Sequence, residues 1–141
     1  MGPKELHVFM VDDDEVDALV VDRTLRRSKL PFSLQVAPSG VDAFARFDQL
    51  QADGKPLPHL ILLDINMPEM SGHEFLERLR ASESLRGIVV FMLTTSDEAS
   101  DVARAYKRHV AGYIVKHLLD EQFGGLLSLL ERYSEVVVFD G

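Results

Sequence analysis

Apolar residues in this chain come in short runs, separated by stretches where they recur every three or four positions. L-H-V-F-M-V (6–11) reads as a buried strand. Behind it Val16, Leu19, Val20 and Leu25 recur at helical spacing between Glu15 and Lys29. P-F-S-L-Q-V (31–36) alternates as a second strand, and Ser39 is placed to cap a helix striped by Val41, Phe44, Phe47 and Leu50. D-G-K-P-L-P (53–58) is a loop, L-I-L-L-D (60–64) a third strand, and N-M-P-E-M-S-G (66–72) a loop before a helix ending near Ser82. I-V-V-F-M-L (88–93), a helix from Asp97 to His109, G-Y-I-V-K (112–116) and a helix from Asp120 to Tyr133 complete the rhythm.

Five strands alternating with helices imply βαβ units, hence a doubly wound α/β fold whose parallel sheet is covered on both faces. In such sheets ligands bind beyond the carboxyl ends of the strands. Those ends are where this sequence turns polar. Asp12 and Asp13 follow the first strand, Asp64 ends the third, Thr94 and Thr95 follow the fourth, and Lys116 ends the fifth. Carboxylates held a few ångströms apart repel one another. Their gathering at one rim therefore points to a bound cation.

Composition narrows the field. The 141 residues, 46% hydrophobic, make one domain of ordinary size. A net charge of −8 argues against nucleic acid as a partner, and the absence of cysteine excludes thiolate metal sites. No apolar run approaches a membrane span, so no membrane association and a cytoplasmic location are expected.

The motifs V-D-D (11–13), L-L-D-I-N-M-P (62–68), L-T-T-S (93–96) and Y-I-V-K (113–116) together resemble the receiver domain of two-component response regulators, the CheY-like fold. The resemblance implies strand order 2-1-3-4-5. It also implies Asp64 as phosphoacceptor, Asp12 and Asp13 as magnesium ligands with Asp64 and the backbone carbonyl of Asn66, and Thr94, Lys116 and Tyr113 as the switch hydroxyl, amine and aromatic. L-T-T-S, R-H-V-A-G-Y (108–113) and R-Y-S-E-V-V-V (132–138) resemble more narrowly the stand-alone regulators that serve bacterial phytochrome kinases. The implied partner is a sensor histidine kinase, and the implied role is light-linked signalling.

The chemistry is coherent on its own terms. Three ionised aspartates and one ammonium leave the site at −2, and one Mg²⁺ brings it to zero. A carboxylate can then approach an anionic phosphoryl group, with positioning and charge balance doing most of the catalysis. Asn66 and Ser96 would flank a water attacking the aspartyl phosphate. Neither is a strong base, and Thr95 is bulkier than the small residue common there in the family. Self-catalysed phosphotransfer with slow to intermediate autodephosphorylation is expected, rather than turnover of a free substrate.

Other acids have plainer readings. Asp14 suits the N-cap of the first helix, and Glu15 and Asp17 suit its positive end. A calcium loop is excluded, since Val16 stands at its third ligand position. None of the five histidines reads as a ligand, Phe44 and Phe47 read as core, and Thr95 and Ser96 read equally as turn residues or as the mouth of the site. His117 follows Lys116 where the family normally has proline. A trans peptide bond is expected there, because a cis bond without proline costs about 3–4 kcal/mol.

Two function classes compete: a phosphorylation-switched signalling domain, and a receiver-like scaffold that takes no phosphate. The intact set of Asp12, Asp13, Asp64, Thr94 and Lys116 favours the switch. Beyond the receiver (1–134) lies an apolar arm, 135–141. Val136, Val137, Val138 and Phe139 are strong strand formers that the five-stranded sheet leaves unplaced. Folding of Val136 and Val138 onto their own last helix is one outcome. A two-fold homodimer in which each arm reaches across is the favoured one.

Overall fold

Each of the five apolar runs enters one parallel sheet, and the residues after them are drawn to a common edge. The structure, a computed structural model, describes residues 5–67, 69–95, 98–106 and 109–133. The elements alternate as β1 (Leu6–Val11), α1 (Glu15–Arg27), β2 (Phe32–Ala37), α2 (Gly40–Ala52), β3 (Leu60–Asp64), α3 (Gly72–Ala81), β4 (Val89–Thr94), α4 (Ala99–Tyr106), β5 (Gly112–Val115) and α5 (Leu119–Tyr133). The strand order is β2-β1-β3-β4-β5, all pairs parallel, as the resemblance implied. Among the described residues no helix is long and apolar enough to cross a membrane.

The apolar strands are covered on both faces, and their alternation sorts side chains between two cores. Phe9, Val11, Ile61, Leu63, Val90 and Met92 pack with Phe44, Phe47, Phe75, Leu76 and Leu79 of α2 and α3. Val8, Met10, Leu60, Leu62, Leu93 and Ile114 pack with Val21 and Leu25 of α1 and Phe123 and Leu127 of α5. Phe44 and Phe47 are core as expected, the Phe9–Phe47 and Phe44–Phe75 centroids each lying 4.8 Å apart.

The stripe assigned to α1 needs correction. Val16 and Leu19 are exposed (65% and 62%), and the buried residues are Asp17, Val21, Thr24 and Leu25. These recur at i, i+4, i+7 and i+8, so the inward face is helical in period but polar at two of its four positions. The upper end of α1 faces the acidic rim rather than the core. Val41 is likewise exposed, while Phe44, Phe47 and Leu50 of α2 are buried. The helix expected from Asp97 to His109 is the shorter α4. Asp97, Lys107 and Arg108 fall outside the described residues.

At the opposite end of the sheet, Arg80 of α3 fastens three backbone carbonyls. Its Nη1 donates to Arg86 O (2.7 Å) and Ile88 O (2.8 Å), and its Nη2 to His109 O (2.5 Å). The guanidinium thereby joins the end of α3, the approach to β4 and the approach to β5.

Candidate functional site

Sheet register fixes the rim. The ladder runs past the end of β1, where the Asp12 N–H donates to Ala37 O (3.0 Å), and past β3, where the Ile65 N–H donates to Leu93 O (3.2 Å). Asp64 stands beside Leu93, and Thr94 beside Val115. Turns then lock the carboxylates. Asp12 Oδ1 accepts the Asp14 N–H (2.8 Å), and Asp64 Oδ1 accepts the Asn66 N–H (3.1 Å). Asp14 caps α1 as expected, accepting from the Val16 N–H.

Asp12, Asp13 and Asp64 each offer an oxygen within 4.8 Å of the others, a group suited to a metal ion. Asp12 and Asp64 are buried, and Asp13 is exposed at the mouth. Asp12 Oδ2 is buried and accepts no hydrogen bond. Converging carboxylate oxygens, one of them without a donor, fit a hard divalent cation that takes oxygen ligands.

Lys116 reaches this cluster although proline is missing behind it. No cis peptide bond occurs among the described residues, as expected for Lys116–His117. Residues Lys116–Leu118 form a 3-10 turn that runs directly into α5. Gln122 of α5 anchors the strand end, accepting the Val115 N–H at 2.7 Å. The Lys116 ammonium lies 3.1 Å from Asp64 Oδ2, 3.2 Å from Asp17 Oδ2 and 3.9 Å from Asp12 Oδ2. Partial burial opposes its charge, but the facing carboxylates of Asp64 and Asp12 outweigh this and raise its pKa.

Asp17 lies in the first turn of α1, at the helix's positive end as expected, but it is only 9% exposed and faces Lys116, a role the sequence reading misses. The available signal was its spacing from Val21, Thr24 and Leu25, which a reading by hydropathy passes over.

Burial pushes Asp12 up from the ordinary 3.8 to about 8, assisted by its contact with Asp17 and by the charge on Asp64, against the Asp14 N–H. A carboxyl with a raised pKa in the folded state contributes stability that is full below its unfolded value and is lost as pH rises through the folded one. For Asp12 that window runs from about pH 4 to about 8. The metal-free protein should therefore lose this contribution across the window, and a divalent cation should offset the loss. We expect the rise in Tm on replacing EDTA with Mg²⁺ to be larger at pH 8.5 than at pH 6. Groups remote from the site cancel in that difference, so an equal rise at both values would contradict the assignment.

Other residues expected at the site occupy its border. The Thr94 hydroxyl is buried and donates to Thr95 O (3.2 Å). The Thr95 hydroxyl donates to Glu98 Oε1 (2.6 Å), which places an acidic side chain, unnoticed in the sequence, beside the entrance. Asn66 is exposed at the rim, and Tyr113 is 42% exposed, its ring turned outward. Ser96 lies outside the described residues. His7 and His59 stack with centroids 5.1 Å apart near the start of β1, remote from the acids.

A family model described as the response regulator receiver domain matches residues 8–126. Response regulator Rcp1 of Synechocystis sp. is 34% identical over 110 residues, covering 77% of this chain and 75% of its own. The solved manganese-bound form of Rcp1 matches with a TM-score of 0.77 at 30% identity, covering 96% of this chain and 99% of that one. The phosphorylated cyanobacterial phytochrome response regulator RcpA matches with a TM-score of 0.75 at 27% identity, over 96% of this chain and 98% of that one.

Proposed function

The chain belongs to the response regulator receiver domain family, which works by phosphorylation in two-component signalling, and on that premise we propose that it accepts a phosphoryl group on Asp64 from a histidine kinase. The observation carrying this reading is the convergence of Asp12, Asp13, Asp64 and Lys116, delivered by three separate strand ends to one rim.

Asp64 is the nucleophile. One of its carboxylate oxygens bonds to phosphorus as the bond from phosphorus to the kinase's histidine nitrogen breaks, and that nitrogen keeps the electron pair. The Asn66 N–H holds Oδ1 and orients the carboxylate. Lys116, already 3.1 Å from Asp64 Oδ2, supplies positive charge for the incoming phosphoryl oxygens. The Thr94 hydroxyl can rotate from the Thr95 carbonyl toward the same oxygens. Asp12, Asp13, Asp64 and the Asn66 carbonyl would hold the cation, for which we assign Mg²⁺. When bound, it supplies charge neutralisation between the carboxylate and the phosphoryl group. Inward movement of Tyr113 would carry the change to the face made by α4, β5 and α5.

A bacterial phytochrome kinase is the partner we favour, given the likeness to Rcp1 and RcpA. With Mg²⁺ and acetyl phosphate, and separately with a phosphorylated histidine kinase, wild type should gain the mass of one phosphoryl group. Asp64→Asn and the EDTA control should gain none. No Asp64-dependent gain from either donor would leave the scaffold as the reading.

Dimerisation through the 135–141 arm is part of the same proposal, although Val136, Val137, Val138 and Phe139 lie outside the described residues. Light scattering should give a dimer for the intact chain and a monomer for one ending at Ser134. Equal dimerisation of both would remove the arm's role.

A further inference from the structure

The inward turn of Asp17 serves no need of α1. An acid in the first turn already favours the helix dipole from the surface, where water solvates its charge. Burying a carboxylate forfeits that solvation unless partners replace it. Asp17 Oδ2 is buried, accepts no hydrogen bond, and faces the Lys116 ammonium at 3.2 Å, nearly the distance at which Asp64 faces it. Its other neighbour is the Asp12 carboxyl, and Lys116 is the cation it faces.

We infer that Asp17 is a positioning residue for phosphoryl transfer, holding the Lys116 ammonium in competition with Asp64 and adding a fourth negative charge to the site. This rests on the phosphoacceptor reading above. Its position has two consequences of opposite sign. With Asp12, Asp13, Asp17 and Asp64 ionised against Lys116, the site carries −3 rather than −2, which strengthens attraction for a divalent cation. The same charge leaves −1 after one cation binds, which repels an anionic phosphoryl donor and restrains Lys116 from moving fully onto the phosphoryl oxygens. Asp17 thus trades donor reactivity for cation affinity.

Asp17→Asn removes the charge and keeps the shape. Isothermal titration calorimetry should show Mg²⁺ binding weakened by about tenfold or more, the scale of one unit charge acting on a divalent cation several ångströms away through a water-like dielectric. At saturating Mg²⁺ the rate of acetyl phosphate-dependent mass gain should rise by about threefold or more, since the donor is an anion. Asp17→Glu, which keeps the charge, should restore most of the cation affinity. A fall in both quantities would mark a merely structural role and overturn the inference, as would no change in either. Should wild type itself take up no phosphoryl group, the phosphoacceptor reading fails instead. The Mg²⁺ titration then decides on its own whether the Asp17 charge acts on the site.

Discussion

Lys116→Ala is expected to destabilise the metal-free protein by about 3 kcal/mol, and to cost about 1 kcal/mol or less once Mg²⁺ is saturating. The Lys116 side chain is 24% exposed and faces three carboxylates, two of which have almost no contact with solvent. Removing one partner of a buried ion pair costs about 3–5 kcal/mol because the remaining charge is left uncompensated. The lower end applies here, since the ammonium keeps some contact with water and Asp12 can take a proton. A divalent cation restores positive charge to the same acids, so the substitution matters less when it is bound. Linkage then requires the variant to bind Mg²⁺ more tightly, the difference between the two stability losses reappearing as affinity. Urea unfolding in EDTA and in Mg²⁺ measures both terms. An identical loss under the two conditions would mean that Lys116 acts through local packing of the 3-10 turn rather than through charge.

Much of this site was legible because its principal residues close or directly follow apolar runs. Strands β3 and β4 are nearly unbroken apolar segments, and the first polar residue after each is fixed at the rim by strand geometry alone. Asp12, Asp64, Thr94 and Lys116 could be placed without knowing any contact. Helical spacing is less decisive. In α1 the residues 16, 19 and 20 and the residues 17, 21, 24 and 25 are both consistent with a helical face, and hydropathy favours the first set. The structure buries the second because that face meets charged or polar partners, Asp17 at the ionic site and Thr24, towards the other end of the helix, at α5. The Thr24 hydroxyl donates to Asp120 Oδ1 at 2.7 Å, tying α1 to α5. A face whose partners are charges carries no apolar signature.

Arg80 was invisible for a related reason: what it binds is backbone, which leaves no trace in side-chain pattern. Arg80→Met is expected to cost about 3 kcal/mol, lowering Tm by roughly 10 °C in a chain of this length. The guanidinium donates to Arg86 O, Ile88 O and His109 O, and burial lowers its pKa without discharging it. Hydrogen bonds from a charged donor contribute about 1.5–3 kcal/mol each where water cannot substitute. The Arg86 carbonyl is open to solvent and should recover a partner, so the expected total rests on the other two. Methionine keeps most of the aliphatic volume and removes the donors, isolating the hydrogen-bonding contribution from packing. Lysine should rescue little, because one ammonium cannot reproduce a planar fork reaching three carbonyls. The comparison residue is Arg78 on the same helix, whose guanidinium carbon lies 4.4 Å from the Phe44 ring centroid. That contact is worth about 0.5–1 kcal/mol at an exposed position, so Arg78→Ala should shift Tm by no more than about a third as much. Thermal unfolding of Arg80→Met, Arg80→Lys and Arg78→Ala in Mg²⁺ decides the matter. If Arg80→Met melts with Arg78→Ala, the three carbonyls are adequately served by water and the guanidinium is not what fastens this end of the sheet.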